Sequence, residues 1–361
     1  MHVVAHLSGA LQRRVVPMRR FARSVTALAV AYAVGIIAWQ MLRLVAGDRW
    51  WWLALGNAFS PYLFLPLVAL LPLAVLTRRR TAIVATIGPL VVFLVLYGGL
   101  FLPKISRAEA DDAATLRVMT LNLLVLNGDG SAVEQRIRAE SPDVICLQEL
   151  TPRMAGDLEQ RLGDEYPYFS LVPEGDTSGV GLFSRYPLRD EGELPDPAAE
   201  AGRWRHGAQA VTVDYQGRSV LVLNIHALPH YLEFGDPRWP ERFELGFHVR
   251  EQQIQAWMDW IEQYNGPVVA AGDLNFTDQN RAYRLMAEQL NDAHRQAGCG
   301  LGHTWNASSR RFMGVPFPSR LLRLDYVWYS DHWKALDVHV GAWDGQSDHL
   351  SVVAELLLES D

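Results

Sequence analysis

Eight polar residues stand at the ends of apolar runs in the last two-thirds of the chain. They are Asn122, Glu149, His226, Asp273, Asn275, Asp325, Asp348 and His349. The runs are RVMTLN (Arg117–Asn122), DVICLQE (Asp143–Glu149), SVLVLNIH (Ser219–His226), PVVAAGDLN (Pro267–Asn275) and RLDYVW (Arg323–Trp328), followed by SDHLSVV (Ser347–Val353). Carboxylates, amides and imidazoles converging from several strand ends can reach one metal ion and one phosphate together. Hard oxygen donors without a cysteine cluster select Mg²⁺, with Mn²⁺ as a substitute, over a thiolate-bound metal.

Each residue type suits a part in phosphoester cleavage. Glu149 at a strand end is a natural Mg²⁺ ligand, and Asn122 and Asp348 can complete or orient its shell. Bound Mg²⁺ withdraws charge from a non-bridging phosphate oxygen and favours in-line attack. Asp273 and Asn275 lie two apart on an extended segment, hence on one side of it, where they can hold an attacking water and a phosphate oxygen. His226 and His349 can carry charge near neutral pH and stabilise a phosphate or a leaving oxygen. Asp325 can orient one of the imidazoles. Taken singly, these residues read as ordinary features: Asp-Leu-Asn as a turn, Ser-Asp-His as a loop or helix cap, Asn122 as a strand cap. Their conjunction at the ends of successive apolar runs points to a site.

The elements that must position them follow from pattern. Strands are expected over 117–122, 143–149, 180–184, 209–215, 219–225, 267–272, 325–330 and 350–356, and helices over 132–139, 153–162 and 250–263. In the last helix Ile254, Trp257, Met258 and Ile261 form an apolar stripe that reads as core packing. Gln216–Gly217–Arg218 is a short hairpin connection between two strands. Hairpins mixed with βα units predict an α/β sandwich of two mixed sheets flanked by helices.

Charge divides the chain sharply. Residues 1–103 hold ten Arg and one acid, Asp48, a net +9; the whole chain is −7, so residues 104–361 carry −16. We read a membrane domain over 1–103, a linker over 104–115 and a catalytic domain over 116–361. Apolar stretches at 24–44, 52–76 and 82–102 have the length that crosses a bilayer core of about 30 Å. The second contains Asn57, Pro61, Pro66 and Pro72 and is expected to be kinked or partly re-entrant. Arg13, Arg14, Arg19, Arg20 and Arg23 before the first span, and Arg78, Arg79 and Arg80 after the second, predict a cytoplasmic side for both clusters. The catalytic domain is then extracytoplasmic, on a multi-pass protein of a bacterial cytoplasmic membrane. Of two cysteines, Cys146 and Cys299, the first lies in an apolar strand and reads as a packed hydrophobe; nothing in the spacing asks for a disulfide.

The order of these motifs resembles the endonuclease/exonuclease/phosphatase superfamily, which includes DNase I-like nucleases, apurinic endonucleases, inositol-polyphosphate phosphatases and bacterial sphingomyelinases. The resemblance runs from about Leu116 to Leu358 through TLN, LQEL, GLFSRYPL, NIH, GDLN, LDY and SDH. It implies a four-layer α/β sandwich with one or two Mg²⁺. It also implies Glu149 as principal metal ligand assisted by Asn122 and Asp348, Asp273 acting on the water, and Asn275 on the phosphate. His349 paired with Asp325, and His226, would stabilise developing charge. Leu274 stands where Phe is more usual.

The acidic outer domain disfavours nucleic acid, which draws on a positive field. Outside Arg310–Arg311 and Arg320–Arg323 it has no basic cluster. The aromatic, charged stretch His230–His248 is expected to form a loop at the rim of the site, suited to a lipid interface. Three spans followed by this domain are similar in architecture to the membrane phosphatases associated with teicoplanin resistance, which implies a lipid-linked phosphate such as undecaprenyl pyrophosphate as substrate. A surface-anchored nuclease of DNase I type and a non-enzymatic binding module of the same fold are the alternatives.

Overall fold

The computed structural model describes residues 2–104, 115–200, 207–229, 237–307, 311–312, 315–316 and 318–359. The chain forms two compact units, one of Met1–Gly47 with Leu55–Gly99, the other of Asp48–Ala54 with Leu100–Asp361.

The first unit is helical: α1 (His2–Ala46), α2 (Trp51–Ala58, shared with the second unit), α3 (Pro66–Thr77) and α4 (Arg80–Tyr97). Met18–Ala46, Ser60–Thr77 and Arg80–Phe101 are long and apolar enough to cross a membrane. The expected second span is broken: α2 ends at Ala58, and a 3₁₀ turn over Ser60–Phe64, entered at Pro61, leads into α3 at Pro66. The polar residues that weaken this span in the sequence are paired internally. Trp39 Nε1 donates to Asn57 Oδ1 (3.0 Å), Asn57 Nδ2 to the Gly47 carbonyl (3.0 Å), and Ser60 Oγ lies 2.7 Å from the Tyr97 hydroxyl. Such internal pairing is what an apolar solvent demands.

In the second unit the strands, in chain order, are β1 (Thr115–Asn122), β2 (Val144–Gln148), β3 (Tyr168–Val172), β4 (Val180–Ser184), β5 (Leu188–Glu193), β6 (Ala208–Tyr215), β7 (Arg218–His226), β8 (Val268–Asp273), β9 (Asn291–Asp292), β10 (Arg311–Phe312), β11 (Val315–Pro316), β12 (Asp325–Tyr329), β13 (Trp333–Val340) and β14 (Val352–Leu358). The helices are α5 (Gly130–Glu140), α6 (Pro152–Leu162), α7 (Pro197–Glu200), α8 (Trp239–Ile261), α9 (Arg281–Ala287) and α10 (Ala293–Ala297). One six-stranded sheet runs β13-β14-β1-β2-β4-β3 and a second runs β5-β6-β7-β8-β12-β9. Both are mixed, with β1/β2 and β7/β8 as their parallel pairs.

Three apolar layers hold this α/β sandwich together. Val118, Cys146, Val222, Val269 and Val352 pack between the sheets. Met119, Ile145, Val133, Ile137 and Leu158 bury the first sheet under α5 and α6. Leu223, Ile254, Trp257, Met258 and Met286 bury the second under α8 and α9. Strands with helices on one face and a sheet on the other are apolar on both, which is why they read as continuous runs.

Two features depart from expectation. Within the stretch 230–248, residues 230–236 lie outside the described residues, and the remainder forms the start of α8 in place of a loop. Trp239, Phe243 and Phe247 extend the stripe of Ile254, Trp257 and Ile261 backwards at helical spacing. Phe243 and Phe247 are 3% and 2% exposed, their rings packed edge to face with centroids 5.0 Å apart. Pro240 and Glu241 in the first turn are ordinary helix-start signals. In addition, Asp48 is buried within the second unit, accepting from Arg281 N (2.6 Å) and Asn280 Nδ2 (3.1 Å) at the start of α9. Both cysteines are free, Cys146 buried and Cys299 exposed.

Candidate active site

The parallel pairs bring two sets of strand ends to the same side. β1 ends in Asn122 opposite Gln148, the last residue of β2, with Glu149 next in the chain; β7 and β8 end in His226 and Asp273, paired in register. β12 runs antiparallel to β8, so its first residue, Asp325, is opposite Asp273. β14 runs antiparallel to β1, and the segment leading into it delivers Ser347, Asp348 and His349.

Two buried ties lock the sheets together just beneath the site. Gln148 Nε2 donates to Asn224 Oδ1 (2.7 Å), and Asn224 Nδ2 donates to the carbonyls of Leu147 (3.0 Å) and Gly181 (2.9 Å). Each partner neighbours a site residue, Gln148 beside Glu149 and Asn224 two before His226. Gly272 lets β8 approach β7 closely: a Cβ there would meet the Ile225 carbonyl oxygen at 1.8 Å. Only glycine fits this approach.

The Asn122 amide is the hub. Its Nδ2 donates to Glu149 Oε1 (3.1 Å) and Asp273 Oδ2 (3.0 Å), while its Oδ1 accepts from Leu124 N (3.0 Å). Glu149 Oε2 accepts from Val125 N (2.7 Å). Glu149 has φ +56° and Asn275 has φ +51°. Left-handed backbone is uncommon outside glycine and is stored preferentially at functional positions. Asn275 N donates to Asp273 Oδ1 (3.0 Å) and its Nδ2 to the Ala227 carbonyl (3.0 Å), which fixes the side chain beside His226.

Around Asp273 Oδ2 two imidazoles converge, His226 Nε2 at 3.8 Å and His349 Nε2 at 3.7 Å. His349 Nδ1 is 2.8 Å from Asp325 Oδ2. Burial opposes charge on His349, but Asp325 and Asp273 override it and hold its pKa raised to about 10. Burial wins at His226, whose pKa is lowered although Asp273 pulls the other way. The histidines therefore differ: one is a cation at neutral pH, the other a neutral imidazole. Burial raises Asp273 to about 6, with His349 restraining the shift, and raises Glu149 as well.

The donor set fits a hard divalent cation. Among the described residues no Lys or Arg forms a salt bridge with Glu149, Asp273 or Asp325. Asp325 Oδ1 is buried without a hydrogen-bond partner. Glu149 and Asn122 are joined at 3.1 Å, and the Asp348 carboxylate is near enough to raise the Glu149 pKa. The ligand atoms of Asp273, Asp325 and His349 also lie within 4.8 Å of one another. All eight sequence-predicted residues thus gather at one end of the two sheets.

Several supporting residues escape a motif reading. Ser347 Oγ donates to the Asn122 carbonyl (2.7 Å) and accepts from His349 N (2.9 Å), tying two strand ends together. Arg323, grouped in the sequence with a basic cluster, is buried and pairs with Asp278 (2.8 Å) and Asp292 (2.5 Å). Arg295 joins Asp278 at 2.8 Å. This network clamps the segment after Asn275 to the segment before Asp325, and it withdraws Arg323 from any ligand-binding role.

An α/β sandwich whose strand ends present carboxylates, amides and an Asp–His pair defines a class of phosphoester-cleaving hydrolases. A sequence model of the Endonuclease/Exonuclease/phosphatase family matches residues 119–349, and the chain belongs to that family. Its enzymes are generally dependent on a divalent metal. Solved structures share the fold. An endonuclease/exonuclease/phosphatase from Beutenbergia cavernae DSM 12333 is 26% identical, with TM-score 0.53 over 68% of this chain and 72% of its own. One from Bacteroides vulgatus is 21% identical, with TM-score 0.51 over 68% and 100%. TDP2 from C. elegans is 20% identical, with TM-score 0.51 over 68% and 77%. No curated protein matches the chain.

Proposed function

We propose that this chain is a Mg²⁺-dependent phosphoester hydrolase of a bacterial cytoplasmic membrane. Its catalytic unit works on the extracytoplasmic side, on a lipid-linked phosphate such as undecaprenyl pyrophosphate. The observation that carries the chemistry is the Asn122 amide spanning Glu149 and Asp273, with the Asp325–His349 pair alongside. Glu149, with Asn122 and Asp348, would hold Mg²⁺, which when bound draws charge from a phosphate oxygen. Asp273, fixed by Asn122 and by Asn275 N, holds the attacking water for in-line approach. Cationic His349 offers Nε2 to phosphate oxygen, and neutral His226 offers a second hydrogen-bonding nitrogen. Asn275 contributes its amide to the phosphate.

Three observations support the lipid substrate. The chain carries three helices of spanning length and composition. Residues 104–361 are strongly acidic. Arg323 is spent on internal ion pairs, which leaves less positive surface for a nucleic-acid backbone. A nuclease remains the competing family activity. The test is hydrolysis by the purified full-length protein of undecaprenyl pyrophosphate, sphingomyelin, inositol phosphates and plasmid DNA, with Mg²⁺ and with EDTA. Mg²⁺-dependent release of phosphate from the prenyl lipid supports the reading; activity confined to DNA overturns it.

A further inference from the structure

Trp50, Trp52, Phe101 and Leu102, which adjoin the candidate spans in sequence, are exposed, but within the sandwich itself, residues 115–359, large apolar side chains are almost all covered. Among the described residues of 115–359, the exposed ones are Leu126, Tyr168, Phe169, Leu245 and Trp343. Two of these five are on the loops that carry the site. Leu126 is 85% exposed at the tip of the turn closed by Asn127 N and the Leu124 carbonyl (2.7 Å). Trp343 is 44% exposed in the connection from β13 to β14. Because β14 runs antiparallel to β1, that connection leaves the sheet at the end where Asn122 and Leu126 lie. Tyr168 and Phe169 begin β3 at the opposite end, aligned through β4 with the start of β2.

Both loops are held by the catalytic residues themselves. Val125, next to Leu126, donates its backbone N–H to Glu149 Oε2, and Leu124 N donates to Asn122 Oδ1. Trp343 Nε1 donates to the Ser347 carbonyl (2.6 Å), and Ser347 Oγ donates to the Asn122 carbonyl. A fully exposed leucine costs free energy in water, and an indole whose N–H is already satisfied presents an apolar body. Two such residues on separate rigid loops at one rim call for an apolar contact.

We propose that Leu126 and Trp343 form a lipid-contacting rim that seats the catalytic end on the hydrocarbon margin of a membrane surface. This rests on the lipid-phosphate reading above and deepens it. The occupant is a lipid surface because the same chain carries three membrane-spanning candidates, so that partner is always tethered within reach. Tryptophan suits the water–hydrocarbon boundary. Around the rim the carboxylates of Asp129, Asp344 and Asp348 carry more charge than Arg153, whose guanidinium lies beside Gly128, so the contact is with hydrocarbon, not an attraction to anionic headgroups. It is therefore insensitive to salt and to anionic lipid content.

Full-length protein carrying Leu126→Cys in a Cys299→Ser background is labelled with an environment-sensitive fluorophore. It is then reconstituted into phosphatidylcholine vesicles with or without bromine in the acyl chains. The rim predicts blue-shifted emission quenched by the brominated chains, unchanged between low salt and 0.5 M salt. Emission as in water, or quenching only with anionic lipid at low salt, overturns it whether or not the enzyme cleaves a lipid. A second arm measures turnover on a long-chain prenyl pyrophosphate in vesicles and on a water-soluble short-chain diphosphate. Leu126→Ser and Trp343→Ser should each lower the ratio of the two rates about tenfold, and Trp343→Phe should restore most of it. An unchanged ratio in a variant that melts like the parent rejects the rim. Wild-type protein inactive on both substrates rejects the hydrolase reading instead, and the quenching result still decides the rim.

Discussion

His349 Nδ1 lies 2.8 Å from Asp325 Oδ2, an Asp–His pair whose imidazole turns its other nitrogen towards Asp273. Asp325 thereby fixes the ring and keeps it charged. Asp325→Asn should lower the His349 pKa from about 10 and cut turnover by at least roughly 10²-fold, the scale of losing one preorganised charge-stabilising group. The sign for stability follows from linkage. A raised histidine pKa stabilises the fold fully below the unfolded value of about 6.5, and the contribution is lost as pH rises through about 10. The melting-temperature gap between wild type and variant should therefore shrink from pH 6.5 to pH 10. Histidine NMR titration checks the pKa directly; an unshifted His349 would refute the pairing.

Asp273 and Glu149 should be stability liabilities without metal. Burial raises both carboxyl pKa values, Asp273 to about 6. A carboxyl whose folded pKa is raised stabilises the fold below its unfolded pKa near 4 and loses that contribution as pH climbs through about 6. At pH 7 to 8 the metal-free protein holds charges its interior disfavours. Asp273→Asn and Glu149→Gln keep an acceptor for Asn122 while removing the charge. Each variant should melt higher than metal-free wild type at pH 7.5, gain less from Mg²⁺, and lose at least roughly 10²-fold in turnover. Wild-type rates at saturating Mg²⁺ would remove either residue from the site.

The motif residues were readable because each combines a polar type with a fixed place at the end of a buried strand. Their supports were not, because their partners come from distant segments. Gln148 and Asn224 meet across the sheets from 76 positions apart. Arg323 looks like one of several surface arginines until Asp278 and Asp292 close on it. The extension of α8 back to Trp239 was legible in the spacing of Phe243, Phe247 and Ile254, but alternating charges and aromatics on one short stretch imitate a rim loop. The edge strands β3 and β13 lack a clean apolar run, having a core on one face only.

Arg323 should be among the costliest residues to replace outside the site. Its guanidinium neutralises two carboxylates, and removing it leaves Asp292 without its cation and Asp278 with Arg295 alone. Arg323→Met should destabilise the catalytic unit by about 3–5 kcal/mol, the range for breaking a buried ion pair from one side. Replacing Asp278 and Asp292 with Asn in the same chain should recover part of the loss, because the orphaned charges are then gone. Denaturant midpoints of the three proteins decide this; a single variant as stable as wild type would show the network to be dispensable.

Gly272 should tolerate no side chain. A Cβ would sit 1.8 Å from the Ile225 carbonyl oxygen, backbone against backbone, where β7 and β8 deliver His226 and Asp273. Gly272→Ala must push the two strand ends apart, and a displacement on the order of 1 Å at reacting groups can cost roughly 10²-fold in rate. The expected result is lost turnover with a lowered melting temperature. Gly246→Ala, on α8 with open space around it, serves as the comparison and should cost far less in both.

The orientation of the chain can be tested with a thiol it already owns. Arg13, Arg14, Arg19, Arg20 and Arg23 precede the first candidate span, and Arg78, Arg79 and Arg80 lie between the second and third. Positive residues favour the cytoplasmic side, so the proposed topology puts both clusters there and the catalytic unit outside. Cys299 is exposed on that unit, whereas Cys146 is buried, its thiol pKa pushed up by burial and so unreactive. A membrane-impermeant maleimide should therefore label intact spheroplasts at a single site, and Cys299→Ser should abolish the signal. Labelling that requires permeabilised membranes would place the catalytic unit in the cytoplasm, away from any substrate presented on the outer face.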